Sequence, residues 1–205
     1  MLNENHTASY LQETQSILSQ IINDQSGLLE DFVKRLLALR ERRGRLFIIG
    51  VGGGGAGNGS HAQGDFEKIA HIDTTCLADN ASSVTAYAND DGWETIFTEQ
   101  LKRKNLSRND ALLVFSVGGG SENTSRNIVE AIKLAKTRGS EILGIVGRDG
   151  GFTKIHGDCV IVVPPNYEQH ITGHTEEIQC VLWHMMVNNP QFTVTNWTNT
   201  LFLVR

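Results

Sequence analysis

Hydrophobic residues recur at three- and four-residue steps through positions 9–43. Leu11, Ile17, Leu18, Ile21 and Ile22 form one series, and Leu28, Leu29, Phe32, Val33, Leu36 and Leu37 form a second. That spacing predicts amphipathic helices. Asn23-Asp24-Gln25-Ser26-Gly27 interrupts it with polar and capping residues, so two helices are expected, an arm that packs on the domain or on a second subunit. From residue 46 the texture changes. Short, nearly unbroken apolar runs at 46–49, 74–78, 111–115, 141–146 and 160–163 alternate with helical patterns at 60–70, 81–88, 93–104, 124–138 and 175–187. Uniformly apolar strands alternating with helices predict an α/β fold, a five-stranded parallel sheet covered by helices on both faces. The whole chain, 1–205, reads as one domain with helices at about 9–43, an α/β core at about 45–189 and a tail at 190–205. Phe192, Val194, Trp197, Leu201 and Leu203 alternate along that tail, a pattern that fits either an edge strand or an unstructured end.

Composition narrows the class of partner. Eighteen basic against twenty-three acidic residues give a net charge of −5, which argues against a general binder of nucleic-acid backbones. No apolar run approaches the ~18–20 residues of a membrane span, and no basic-then-apolar leader opens the chain. Cys76, Cys159 and Cys180 show no CxxC spacing, and such an odd, sparse set points to reduced thiols in a cytoplasmic protein. The 21 glycines against 3 prolines matter most, because the glycines cluster.

One cluster, Gly50 to Gly59, follows the first apolar run, and another, Ser116-Val117-Gly118-Gly119-Gly120-Ser121, follows the third. In a parallel α/β sheet these are ligand-binding strand ends. Glycines that open a helix present backbone N–H groups to an anion, aided by the positive end of the helix, and Ser116, Ser121, Thr124 and Ser125 add hydroxyl donors. The candidate phosphate cradle is therefore Gly52, Gly53 and Gly54 with Ser116, Gly118, Gly119, Ser121 and Ser125. Gly50 to Gly55 also satisfies the dinucleotide template GxGxxG, with Asp79 at the end of the next strand. A run of glycines meets that template by accident, and the dinucleotide reading leaves the second cluster unused, so no nucleotide cofactor is expected.

The polar residues supply reactive groups. His61 and Asp65 lie four apart, on one face of the helix after the first cluster. Glu176, Cys180 and His184 form a stripe at four-residue steps on the last helix, where an imidazole among apolar neighbours must be hydrogen-bonded or functional.

The order of these pieces resembles the sugar isomerase (SIS) family, and within it the phosphoheptose isomerases. The resemblance rests on strand, glycine cluster and helix, then Leu77-Ala78-Asp79-Asn80, Thr85-Ala86-Tyr87-Ala88-Asn89-Asp90-Asp91-Gly92-Trp93-Glu94, Phe115-Ser116 and Gly147-Arg148-Asp149-Gly150-Gly151, and it spans roughly 11–188. It implies a flavodoxin-like SIS sandwich, a homotetramer with sites at subunit boundaries, and aldose–ketose isomerisation of sedoheptulose 7-phosphate to a glycero-manno-heptose 7-phosphate. It puts Asp65 and His184 in the catalytic roles, His61, Asp65, Glu176 and His184 as ligands of a zinc ion, and Asn89 and Asp90 beside Ser116 and Ser125 in the substrate-binding set. Glu176 and His184 are eight residues apart, ~12 Å along a regular helix, so they share an ion only if Glu176 precedes the helix or comes from a neighbouring subunit. The chain departs from the family at Val51, where asparagine is usual, at Gly54, where serine is usual, and at Val117 and Gly118, which replace donors in a second cluster about four residues longer. It carries aspartate where the catalytic glutamate is expected at position 65. Two alternatives follow from the same resemblance: isomerisation of another sugar phosphate, and a non-catalytic sugar-phosphate sensor or adaptor.

Overall fold

The computed structural model describes residues 6–192. Helix α1 (His6–Glu41) leads into strand β1 (Leu46–Gly50), helix α2 (Gly52–Lys68), strand β2 (Thr74–Cys76) and helix α3 (Ala81–Asp90). A 3₁₀ turn (Trp93–Thr95) precedes helix α4 (Ile96–Arg103), strand β3 (Ala111–Ser116), helix α5 (Arg126–Arg138) and strand β4 (Glu141–Val146). Helix α6 (Gly151–His156), strand β5 (Cys159–Val162), a second 3₁₀ turn (Glu168–His170) and helix α7 (Ile171–Val187) complete the order.

The five strands are parallel and ordered β2-β1-β3-β4-β5. Their apolar side chains divide between the two faces. Leu46, Ile48, Leu113, Phe115, Ile145 and Ile161 pack with α1, α2 and α7, whereas Phe47, Ile49, Leu112, Val114 and Ile142 pack with α4 and α5. Both faces are dry, which is why the strands read as continuous hydrophobic runs. The order reverses at β1: α2 leaves β1 on one face and α5 leaves β3 on the other, opening a crevice between the two strand ends.

Three sequence expectations are corrected. The arm is one 36-residue helix, not two. Asn23, Asp24, Ser26 and Gly27 lie on its exposed side, and Gln25 donates to the Val162 carbonyl at 2.7 Å and accepts from the Val162 N–H at 3.0 Å, so tertiary bonding holds the helix through its polar stretch. Leu11, Ile22 and Leu28, assigned to its apolar face, are 65%, 63% and 41% exposed. The helix expected over 60–70 begins earlier: α2 starts at Gly52, so most of the first glycine cluster is helix and not a loop before it. Helix α6 was not anticipated, because it is six residues long and starts from glycines with positive φ at 150 and 151. Of the expected tail, 193–205 lie outside the described residues; Phe192 is buried beneath the Arg40 guanidinium, 5.2 Å from its ring centre.

The glycines of α2 answer a packing demand. A Cβ on Gly50 would overlap the Gly55 carbonyl, one on Gly55 would lie 3.0 Å from the Phe115 carbonyl oxygen, and one on Gly59 would lie 3.0 Å from Cys76 Sγ and 3.2 Å from Ile48 Cγ2. At the opposite edge, Asp110 takes hydrogen bonds from the Arg45 backbone N–H and guanidinium and from the Ser107 N–H and hydroxyl, locking the starts of β1 and β3. Burial pushes the Asp110 carboxyl up, but the Arg45 and Ser107 donors outweigh it and hold the group below its ordinary 3.8.

Two stability outcomes are expected. Gly50→Ala forces α2 off β1 and costs about 1–3 kcal/mol in urea unfolding, whereas Gly53→Ala, which meets nothing within 4 Å, is neutral or stabilising by up to about 1 kcal/mol. Asp110→Asn costs about 2 kcal/mol at pH 7. Because the native carboxyl is depressed, its contribution is complete above the unfolded pKa of about 3.9 and fades as pH falls through the lower native value, so the gap between wild type and variant narrows below about pH 4.

Candidate active site

Two polar constellations lie on the α2, α7 and crevice side of the molecule. The first joins α2 to α7. Asp65, on the last turns of α2, is buried, and its Oδ2 accepts from Trp183 Nε1 at 3.2 Å. The same oxygen lies 3.5 Å from His61 Nε2 and 3.4 Å from His184 Nε2. The His61 and His184 rings stand edge to face with centroids 5.1 Å apart. Spacing of four on each helix puts His61 beside Asp65, and His184 beside Cys180. His184 Nδ1 lies 2.8 Å from the Cys180 carbonyl oxygen. A carbonyl can only accept, so the hydrogen sits on Nδ1 and the Nε2 lone pair faces Asp65. The ligand atoms of the trio lie within 4.8 Å of one another. Two nitrogens and a carboxylate oxygen are a zinc-type donor set, with His184 oriented from behind by its second nitrogen.

Below this trio, Asn58 donates to the Glu176 carbonyl and to Gln179 Oε1, both at 2.9 Å, and Gln179 donates to the Ile145 carbonyl on β4 at 2.8 Å. This buried chain fixes α7 against α2 and the sheet. Burial, and secondarily the Asp65 charge, raise the Cys180 thiol. Burial also pushes the Cys76 and Cys159 thiols up to about 12, leaving them protonated at neutral pH. None of the three is in a disulfide.

The second constellation is a cavity of about 500 Å³ in the crevice, lined by residues including Val51, Ser116, Gly118, Ser121, Ser125 and Arg148. The loop after β3 is built from positive-φ residues, Gly119, Gly120 and Ser125. Gly119 has to be glycine, since a Cβ there would overlap the Gly150 carbonyl. The Gly119 N–H donates to Ser116 Oγ at 3.0 Å, and the Gly119 and Gly120 carbonyls take the Thr153 and Phe152 N–H groups that open α6. The β3 loop and the start of α6 are thus one rigid wall. Arg148 contributes the cationic side chain of the lining and forms no ion pair with another described residue.

The sequence candidates separate accordingly. His61, Asp65 and His184 meet. Ser116, Gly118, Ser121 and Ser125 line the cavity; Gly119 supports its wall. Gly52 and Gly53 face open space in the first turn of α2, next to the cavity-lining Val51. Gly54 faces Glu176, whose carboxylate fills the space a Cβ would need. Because α7 starts at Ile171, Glu176 sits inside the regular helix, two turns before His184 and outside the trio. Asn89 and Asp90 end α3 exposed, bonded to each other at 2.7 Å, and do not line the cavity. Arg148 and Thr172 are lining residues that residue type alone did not single out. Arg148 belongs to the 147–151 motif of the family resemblance, and its charge reaches the cavity only when the β4 and β3 loops meet. A cavity of about 450 Å³ at the opposite strand edge is lined by Arg35 and Arg42, both already paired with Glu141.

The family model described as SIS domain matches residues 9–147. The chain is 27% identical over 174 residues to phosphoheptose isomerase of Helicobacter pylori (strain P12), an alignment covering 82% of this chain and 85% of that one. It is 32% identical over 142 residues to lincomycin biosynthesis protein LmbN of Streptomyces lincolnensis, covering 65% of this chain and 51% of that one, so the chain spans about half the length of that relative. Among solved structures it is similar to a phosphoheptose isomerase from Francisella tularensis, with a TM-score of 0.79, 18% identity and 92% and 97% of the two chains covered. A Neisseria gonorrhoeae phosphoheptose isomerase gives a TM-score of 0.75 at 21% identity, covering 90% and 96%. These structural likenesses establish the fold.

Arg148→Gln is expected to lower affinity for inorganic phosphate about tenfold, the loss of roughly 1.4 kcal/mol from one charge-assisted contact, without changing the melting temperature. Isothermal titration of the full chain measures it.

Proposed function

The chain belongs to the SIS domain family, and from that membership and the meeting of Asp65 with His184 we propose that it is a phosphosugar isomerase. The reaction is aldose–ketose isomerisation through an enediol, and the substrate is sedoheptulose 7-phosphate, converted to D-glycero-D-manno-heptose 7-phosphate. The carrying observation is the 3.4 Å approach of His184 Nε2 to Asp65 Oδ2, a carboxylate and an imidazole brought together from distant parts of the chain. Relatives named phosphoheptose isomerase support the substrate class.

The isomerisation moves a proton between adjacent carbons while the neighbouring oxygens exchange theirs. It needs a base at carbon, a partner for the oxygen proton and support for the developing oxyanion. Asp65 and His184 Nε2 are the base and its partner. Trp183 Nε1–H holds Asp65 Oδ2 in place, and the Cys180 carbonyl holds the His184 ring with Nε2 turned toward Asp65. Aspartate in place of glutamate brings the carboxylate one methylene closer to α2, and the Trp183 bond fixes that shorter reach. His61, Asp65 and His184 are the residues that would hold a zinc ion, through the same Asp65 and His184 atoms, so metal binding and proton transfer are alternative uses of that pair. Bound there, zinc would act as a Lewis acid on the sugar oxygens. The phosphate is read in the crevice by Ser116, Ser121, Ser125, loop N–H groups and Arg148.

The acid–base trio and the crevice cavity do not share a lining within one chain. We infer that the working site is completed in a homo-oligomer, a tetramer by family resemblance, in which one copy supplies the cradle and another the acid–base pair. Exposed apolar side chains on α1 (Leu11, Ile22) and α7 (Val181, Met185) support this assembly, as does the exposed His61 ring.

Asp65→Asn and His184→Ala are each expected to lower turnover of sedoheptulose 7-phosphate by a factor of about 100 or more with the fold retained. Product formation followed by NMR, across a panel of ketose phosphates, checks both residues and substrate. Turnover within a few-fold of wild type removes the residue from the mechanism. A wild-type chain that binds sugar phosphates but converts none refutes the enzymatic reading.

A further inference from the structure

A second cluster of ligand-type side chains lies at the other end of α7. Glu13 of α1, His170 at the close of the second 3₁₀ turn and His174 in the first turn of α7 place three donor atoms within 4.8 Å of one another. Glu13 Oε2 lies 2.7 Å from His170 Nδ1 and 2.8 Å from His174 Nε2. His174 is 1% exposed and Glu13 9%. Behind His174, its Nδ1 lies 2.6 Å from Glu177 Oε1. Glu177 is itself held by the Thr14 hydroxyl at 3.0 Å and the Tyr10 hydroxyl at 3.3 Å.

We propose that Glu13, His170 and His174 form a three-ligand site for a divalent transition metal of the zinc class, its fourth position taken by water, which ties α1 to the start of α7. The donor set is two imidazole nitrogens and one carboxylate oxygen, the borderline-hard combination zinc favours. In a tetrahedral site with bonds of ~2.0–2.1 Å, ligand atoms stand ~3.3 Å apart, so the Glu13 oxygen needs to withdraw by only about half an ångström from each nitrogen. The Glu177–His174 bond is the carboxylate–histidine arrangement that usually backs a metal-bound imidazole and fixes which nitrogen faces the ion. Neither Glu13, which is buried, nor Glu177, which is half-exposed, pairs with a lysine or arginine among the described residues; their partners are His170 and His174, and where those imidazoles are neutral ligands a divalent ion supplies the counter-charge. The cluster is separate from the His61, Asp65 and His184 trio: ten residues of helix, ~15 Å of rise, divide His174 from His184. Its position gives it consequence. Thr172, two residues before His174, lines the crevice cavity, and a Cβ on Gly173 would lie 2.7 Å from the Tyr10 hydroxyl. An ion here ties the front of the chain to the wall of the anion cavity.

The test uses the full chain carrying His61→Ala and His184→Ala, so that the other trio binds nothing. After chelator treatment and its removal, the protein is titrated with Co²⁺ as a visible probe and with Zn²⁺ by calorimetry and thermal melting. One ion per chain and a raised melting temperature are expected. Adding His170→Ala, at a half-buried position, lowers affinity at least about 100-fold, and Glu177→Gln, which leaves all three ligands, lowers it about 10- to 100-fold. Glu13→Gln, nearly isosteric, abolishes binding with the circular dichroism spectrum intact. No uptake at micromolar metal, or uptake unchanged by His170→Ala, overturns the proposal.

Discussion

The structure depends on how closely α2 lies against the ends of β1 and β3. Gly50, Gly55 and Gly59 remove the atoms that would hold the helix away, and the backbone of α2 comes within van der Waals reach of the Phe115 carbonyl and of Cys76 and Ile48. Packing this tight fixes the rotation and depth of α2. It is therefore the glycines at the start of the helix that determine where Asp65, near its end, projects. Asp65 reaches Trp183 and His184 because α7 is fixed in turn by the buried Asn58, Gln179 and Ile145 chain. A helix built on alanine at those positions would stand off the sheet and misplace the carboxylate.

Helix α7 is the second organising element. Its first turn meets α1 through His174 and Glu13, its middle places Glu176 against Gly54, and its last turns carry Trp183 and His184 to Asp65. The Glu176 carboxylate at the start of α2 matters electrostatically. It puts a negative charge at the positive end of that helix, where a phosphate would otherwise be drawn. The crevice cavity beyond β3, lined by Arg148, Asp149 and the serines of its loop, stands apart from that carboxylate.

What the sequence determined by itself was the sheet and its periodic helices. Five apolar runs became five parallel strands because a strand buried on both faces leaves no room for polar residues, and that signal is local. The i, i+4 pairing of His61 with Asp65 was equally local, since helical periodicity alone brings them together. Other features were decided by contacts distant in sequence. Asn23 to Gly27 stayed helical with Gln25 bonded to the Val162 backbone, and the helix through Gly52 to Gly59 is glycine-rich because it lies so close to the ends of β1 and β3. The convergence of His184 on Asp65, the placement of Glu176 two turns away from it, the exposure of Asn89 and Asp90, and the joining of Glu13 to His170 and His174 all required helices to be set against one another in space. Side chains more than a hundred residues apart carry no local signature of their meeting: the pairing of Asp65 with His184 was legible only through the family resemblance, and that of Glu13 with His170 and His174 only in the packing.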